Sequence, residues 1–288
     1  MFTIRRAAAL TGVPEATLRA WERRYAVVVP RRTESGYRIY SESDVETILE
    51  MQALLRAGWA PREAARQVRG GTSAQRPETS GRQASRRAGE RLLSAAARLD
   101  AMGVEAVLDD AFARGSFESV VDGWLMPALG AVGTAWHEGR LGVAGEHLVS
   151  AAVHRRLAGA FQAASRRENA PHVLTGLASG CRHELGLLAF ATALRRAGMD
   201  VTYLGVDLPT EYWLQALAAR PVAAVVLTVP MSTDVESSRE VALAVHAHHP
   251  ATAVQVGGAQ QMALADVALP LGHRVGLGAQ AVARQLRA

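Results

Sequence analysis

The sequence predicts a multidomain chain, helical in its first and middle parts and doubly wound α/β in its last part. Three observations carry this reading. Residues 1–70 are charged and helix-forming, residues 91–167 place Ala, Leu and Val at three- and four-residue spacing, and beyond Pro171 short apolar runs alternate with amphipathic stretches. A chain of 288 residues, 49% of them apolar, has ample core for one or two domains plus a small module. Its first residues lack the apolar segment of a signal peptide, and no later run reads as a membrane span, so a cytoplasmic protein is expected. Cys181 is the single cysteine, which excludes an intrachain disulfide framework and a Cys-rich zinc site. No nucleophile–base pair or hydrolase-type metal cluster reads out, and no enzymatic activity is expected.

The formal net charge of +5 is unevenly distributed. Residues 1–91 hold 17 Arg against 10 acids, and residues 92–288 hold 15 Arg against 17 acids. The chain contains no Lys; coding bias accounts for that usage but not for the asymmetry, which points to a polyanion-binding N-terminal module. TIRRAAALTGVPEATLRAWERRY reads as a helix, a tight turn at Thr11–Val13, and a second helix from Pro14, with Glu15 in its first turn. The second helix presents Thr17, Arg19 and Arg23 outward while Leu18 and Trp21 pack inward. PRRTESGYRIYSESDV reads as an Arg-rich hairpin bending at Gly36, with Arg31, Arg32 and Arg38 against phosphates and Tyr37 and Tyr40 supplying hydroxyls.

These strings, with the following ILEMQALLRAGWAPREAAR, resemble the winged helix-turn-helix of the MerR family of transcription regulators over about residues 1–70. The resemblance implies double-stranded operator DNA as partner. It implies that Thr17, Arg19, Arg23 and Tyr25 face the groove and that Arg31, Arg38 and Tyr40 contact the backbone. Members of that family dimerise through a long helix after the DNA module. Here GGTSAQRPETSGRQASRRAGE is rich in Gly, Ser and Arg and lacks apolar periodicity, so residues 71–90 read as a flexible linker.

From Pro171 onward, HVLTGLASG, VTYLGV, VAAVVLTV and TAVQVGG read as buried parallel strands separated by three crossover helices. A shorter strand near Arg274–Gly276 and a last helix to Leu286 complete the pattern. The first strand ends in SGCRHELG, which puts His183 in a loop at the carboxyl end of a parallel strand, where open α/β sheets bind ligands. Gly186 follows, then 41 residues to Thr228–Val229–Pro230, then 26 residues to Gly257–Gly258. All of these fall at strand ends and converge on one sheet edge, where small side chains leave a slot for a long, flat ligand tail.

This spacing resembles the doubly wound, flavodoxin-like cobalamin-binding domain of methionine synthase and the corrinoid mutases, over roughly residues 169–288. The resemblance implies that His183 is the lower cobalt ligand, that Thr228 stands at a Ser position, and that Gly257 and Gly258 line the nucleotide tail. Two residues depart from the pattern. Cys181 stands where an acidic residue normally accepts the proton of the ligand histidine, and Pro230 replaces Leu.

Within residues 91–168, TAWHEGRLGVAGEHLV separates Trp136 from Glu146 by nine residues, with His137 and His147 following them. The glycines between forbid one continuous helix, so the two pairs lie on successive helices. With the flanking modules, this resembles the light-sensing, cobalamin-dependent MerR-type repressors, the CarH and LitR group, along nearly the whole chain. The resemblance implies adenosylcobalamin as cofactor and a four-helix bundle cap in which Trp136 packs over the adenosyl group and Glu146 hydrogen-bonds it. It implies that His147 supports the cap or its assembly interface and that His137 becomes an upper cobalt ligand after photolysis. It further implies a homo-oligomer, a tetramer or dimer of dimers, nucleoid-associated when DNA-bound. Two other readings stay open: a light-independent regulator sensing another cobalamin or another ligand, and a corrinoid methyl carrier, against which the DNA module argues.

Overall fold

A computed structural model of the chain describes residues 2–32, 36, 38–56, 59–72, 79–165, 167 and 169–287. The chain divides into two compact units, Met1–Glu78 and Thr79–Ala288.

The N-terminal unit runs β1 (Phe2–Thr3), α1 (Ile4–Thr11), α2 (Glu15–Tyr25), β2 (Arg31–Arg32), β3 (Arg38–Tyr40), α3 (Glu42–Arg56) and α4 (Pro61–Thr72). Local chemistry sets the boundaries. The Thr11 hydroxyl donates to the Ala7 carbonyl at 2.8 Å and accepts from the Val13 amide, and Gly12 takes a left-handed φ of 68°, which turns the chain into α2. The Ser41 hydroxyl accepts the Asp44 amide while the Asp44 carboxylate accepts the Ser41 amide at 2.7 Å, a reciprocal cap that starts α3. β1 adds to the expected hairpin, giving an antiparallel sheet of order β1-β3-β2. Leu18, Trp21, Tyr40, Ile48, Met51 and Val68 form the core.

The C-terminal unit opens with α5 (Thr79–Ala97), α6 (Ala101–Phe112), α7 (Phe117–Val120), a π-helical turn (Val121–Leu125), α8 (Met126–His137) and α9 (Val143–Ala163). With α7, the π turn and α8 running on as one rod, these make a four-helix bundle. Next come β4 (His172–Gly176), α10 (Leu185–Arg196), β5 (Asp200–Tyr203), α11 (Thr210–Ala219), β6 (Ala224–Thr228), α12 (Val235–His248), β7 (Ala253–Gly257), β8 (Leu269–Pro270) and α13 (Val275–Gln285). The sheet is parallel throughout, of order β5-β4-β6-β7-β8, the flavodoxin-like winding. Every residue of β4 and β6 is buried, as strands covered on both faces must be, with His172, Thr175 and Thr228 among them. The bundle seats on the sheet layer by packing α9 against α10.

Two expectations are corrected. Residues 71–72 and 79–90, read as linker, are the end of α4 and the first part of α5, and residues 73–78 lie outside the described residues. Ala88, Leu92, Ala95 and Ala96 recur at helical spacing and bury into the bundle, so packing prevails over the local Gly and Ser content. The strand expected near Arg274–Gly276 lies instead at Leu269–Pro270, and Val275 already begins α13. The cause is distant in sequence: the Asp122 carboxylate accepts the Val275 and Gly276 amides at 2.6 and 3.1 Å and so starts the helix there.

Ala88→Pro tests the extent of α5. Proline there removes a helix hydrogen bond and clashes with the preceding turn, so urea unfolding of the full chain should show the C-terminal unit weakened by about 3 kcal/mol.

Candidate functional site

In the N-terminal unit, Leu18 and Trp21 hold α2 inward, and Ala16, Arg19 and Arg23 form its exposed stripe. A small residue flanked by two arginines suits a helix that enters a groove. Thr17 and Tyr25 are half-buried, while Arg31 is exposed on β2. Arg19 is tempered by an i,i+4 ion pair with Glu15 at 3.1 Å.

The structure corrects the expectation for Tyr40. Its side chain is fully buried and its hydroxyl donates to Glu22 on α2, so it cannot lie on a phosphate. Burial, reinforced by the Glu22 carboxylate, pushes its pKa up. Arg38 is drawn to the same carboxylate, with Nε 2.9 Å from Oε2. Glu22, which the sequence did not single out, thus fixes β3 of the wing to α2. Tyr37 lies outside the described residues.

In the C-terminal unit, β6 and β7 end side by side, with Thr228 opposite Gly257 in register. A cavity of about 300 Å³ opens beyond them, lined by Thr228, Gly257 and Gly258, by Gly186 and Phe190 of α10, and by Met126. Its other wall is the segment from Leu271 to Val275. Gly258 has φ 94°, and a Cβ there would lie 2.6 Å from the Val229 carbonyl, so only glycine lets the chain turn this tightly. Gly257 leaves the slot open: its nearest neighbour, the Thr228 hydroxyl, would be 4.0 Å from a Cβ. Gln261, buried and not foreseen, holds the far wall by accepting the Gly272 amide at 2.8 Å.

His183 is exposed in the loop between β4 and α10, two residues before the helix whose first turn lines the slot. The loop is braced on both sides. Asp207 accepts the Gly180 amide at 2.7 Å and donates its own amide to the Cys181 carbonyl. Glu184 accepts the Tyr203 hydroxyl at 2.5 Å and meets His154 of α9 at 3.3 Å. Cys181 itself is fully buried, with its sulfur 3.6 Å from the Ser237 hydroxyl. Burial pushes its thiol pKa up, and the Asp234 carboxylate adds to the rise.

The remaining predicted residues stand together at one end of the α8–α9 pair, apart from the slot. Trp136 and His137 close α8, and Glu146 and His147 lie in the first turns of α9. Trp136 is 49% exposed, an unusual setting for a tryptophan in a well-packed bundle. Glu146 accepts the Ser150 hydroxyl at 2.5 Å and lies 2.7 Å from the His147 ring. At the helical rise per residue, Glu146 precedes His154, which meets the His183 loop at Glu184, by about 12 Å along α9.

Fold and sites together define a DNA-binding regulator with ligand-binding domains of the B12 type. Residues 2–70 match the MerR HTH family regulatory proteins, and residues 88–158 and 171–284 each match a B12 binding domain. The chain is 39% identical to the HTH-type transcriptional repressor CarA of Myxococcus xanthus, over 72% of this chain and 68% of that protein. It is likewise 39% identical to the repressor CarH of the same organism, over 76% of each. A monomethylamine corrinoid protein from Methanosarcina barkeri shares the fold, with a TM-score of 0.58 at 16% identity over 67% of this chain and 96% of that one. The chain belongs to the family of B12-binding MerR-type transcriptional repressors represented by CarA and CarH. Its relatives are repressors rather than enzymes, and its cofactor is a cobalamin. The residues fit that group: the Gly257–Gly258 slot is mostly apolar, as a nucleotide tail requires, while His183 lies on the loop before α10 and is not among the residues that line the slot. Among the described residues, no helix is long and apolar enough to cross a membrane.

Removing the shared carboxylate tests the wing. Glu22→Ala strands the buried Tyr40 hydroxyl and frees Arg38, and should destabilise the N-terminal unit by about 1.5–3 kcal/mol in thermal unfolding of the full chain.

Proposed function

We propose that the chain is a light-responsive transcriptional repressor that binds adenosylcobalamin, assembles on operator DNA in the dark, and releases it on illumination. The observation that supports this best is the grouping of the C-terminal candidate residues. Gly186, Thr228, Gly257 and Gly258 surround one slot, while Trp136, His137, Glu146 and His147 cluster at one end of the bundle. When bound, adenosylcobalamin supplies a cobalt–carbon bond that visible light cleaves homolytically.

In this reading His183 would ligate the cobalt, and Thr228, Gly257 and Gly258 would hold the tail. Trp136 covers the adenosyl group. Glu146 still has lone pairs to offer the ribose beyond its bonds to Ser150 and His147. His147 would support the cap, and His137 would offer its imidazole to the cobalt in the illuminated state. The frame is a DNA module over residues 1–70, a cap reaching residue 168 and a cobalamin domain over residues 169–288, in a cytoplasmic homotetramer or dimer of dimers. Only a differential effect of the two ligand states on assembly can alter DNA affinity. Linked modules amplify it, because several bind far more tightly than one. On the DNA side, Thr17, Arg19, Arg23 and Tyr25 face the groove, with Arg31 and Arg38 toward the backbone.

A light-independent regulator is the second reading, favoured by Cys181: its thiol is engaged with Ser237 and gives His183 no carboxylate at that position. Protein reconstituted with adenosylcobalamin should change size and lose operator binding after green light. Equal operator binding in the apo, dark and illuminated states would establish the second reading. His183→Ala should abolish the histidine-bound absorption spectrum. Arg23→Ala should weaken operator binding by about 1–3 kcal/mol in a mobility-shift titration.

A further inference from the structure

One cap side chain holds the backbone of the slot wall. Asp122 lies in the π-helical turn Val121–Leu125, where an extra residue per turn displaces it from the register of the flanking α-helix. Its Oδ1 accepts the Val275 amide at 2.6 Å and its Oδ2 the Gly276 amide at 3.1 Å. These are first-turn amides of α13 with no acceptor inside the helix, and the positive end of the helix dipole favours a carboxylate there. Gly276 permits the approach, since a Cβ at that position would come within 3.0 Å of Glu118 Cβ and 3.2 Å of Asp122 Oδ2.

Val275 is also the last residue of the slot's far wall, joined there by His273 and Arg274. Met126, four residues beyond Asp122 on the same rod, lines the slot from the cap side. The carboxylate therefore fixes one wall of the slot to the helix that supplies part of another. We propose that Asp122 is a positioning residue for the cobalamin nucleotide tail, setting the width of the slot from the cap. This rests on the reading in which the tail enters the slot beside Gly257 and Gly258. It also makes tail binding and cap seating parts of one interaction, since α13 cannot shift at its start without releasing Asp122.

The test compares two corrinoids in the full-length protein: hydroxocobalamin, and cobinamide, which lacks the nucleotide tail. Absorbance titrations of wild type, Asp122→Asn and Asp122→Glu are read beside the melting temperature of each apo protein. Wild type should prefer hydroxocobalamin, and Asp122→Asn should lower that affinity by about tenfold, the effect of one lost charge-assisted bond, leaving cobinamide unchanged. Asp122→Glu, which keeps the carboxylate, should recover part of the preference. Equal wild-type affinity for both corrinoids would overturn the tail-in-slot reading and the inference with it. A wild-type preference kept in full by Asp122→Asn would overturn the inference alone, as would an equal loss of both ligands, the mark of a merely structural role.

Discussion

The parallel pairing of β6 with β7 ends at Thr228 opposite Gly257, and the ligand-binding half of the molecule is arranged around that edge. Parallel strands need crossover connections, so their carboxyl ends open together on one side of the sheet while helices cover both faces. At Gly258 the chain passes within contact of the Val229 backbone and turns away, which leaves space rather than side chains beyond the strand ends. The loop carrying His183 leaves the sheet at the neighbouring strand β4. The β6–β7 register therefore places the slot, and the loop from β4 leads through His183 into α10, whose first turn lines it.

The cap is seated on this frame by polar contacts as well as by the packing of α9 on α10. The Arg195 guanidinium, buried beneath the bundle, donates to the Phe161 carbonyl at 2.9 Å and to the Val201 carbonyl at 3.0 Å. It also stacks on the Phe161 ring, with 3.4 Å between the guanidinium carbon and the ring centroid. Glu118 and Arg196 form a further ion pair across the junction. Burial raises the Glu118 pKa, but the bond from Arg196, with lesser contacts, outweighs it and holds the carboxyl below its ordinary value. By the linkage sign, this contribution is present above the ordinary carboxylate range and lost as pH falls through the lowered value.

Much of this was legible in the sequence, for definite reasons. Largely apolar runs announce buried parallel strands: β4, β6 and β7 lie within the runs read for them, and β5 begins one residue before its run, at Asp200. Glycines at strand ends mark close approach, and of the residues expected to converge on one edge, Gly186, Thr228, Gly257 and Gly258 line the slot while His183 does not. What escaped depends on partners far along the chain. The start of α13 is set by a carboxylate 153 residues earlier, which no local pattern can reveal. Tyr40 reads as an interfacial residue until Glu22, 18 residues before it, takes its hydroxyl into the core. Local composition also misled at residues 79–90, where Gly, Ser and Arg suggest a linker and only the buried stripe Ala88–Leu92–Ala95 makes a helix.

The Glu22 carboxylate has a consequence for how the DNA module deals with counterions. A guanidinium paired inside the protein has little condensed salt to displace from a duplex, because its charge is already neutralised. Arg38, half-buried, is held in such a pair by Glu22, whereas the exposed Arg19–Glu15 pair is only weakly so. The ionic-strength dependence of operator affinity should therefore report fewer phosphate neutralisations than the arginine content of the module suggests. The wing is held in shape at the expense of part of its electrostatic reach, so its contribution to recognition rests more on geometry than on charge.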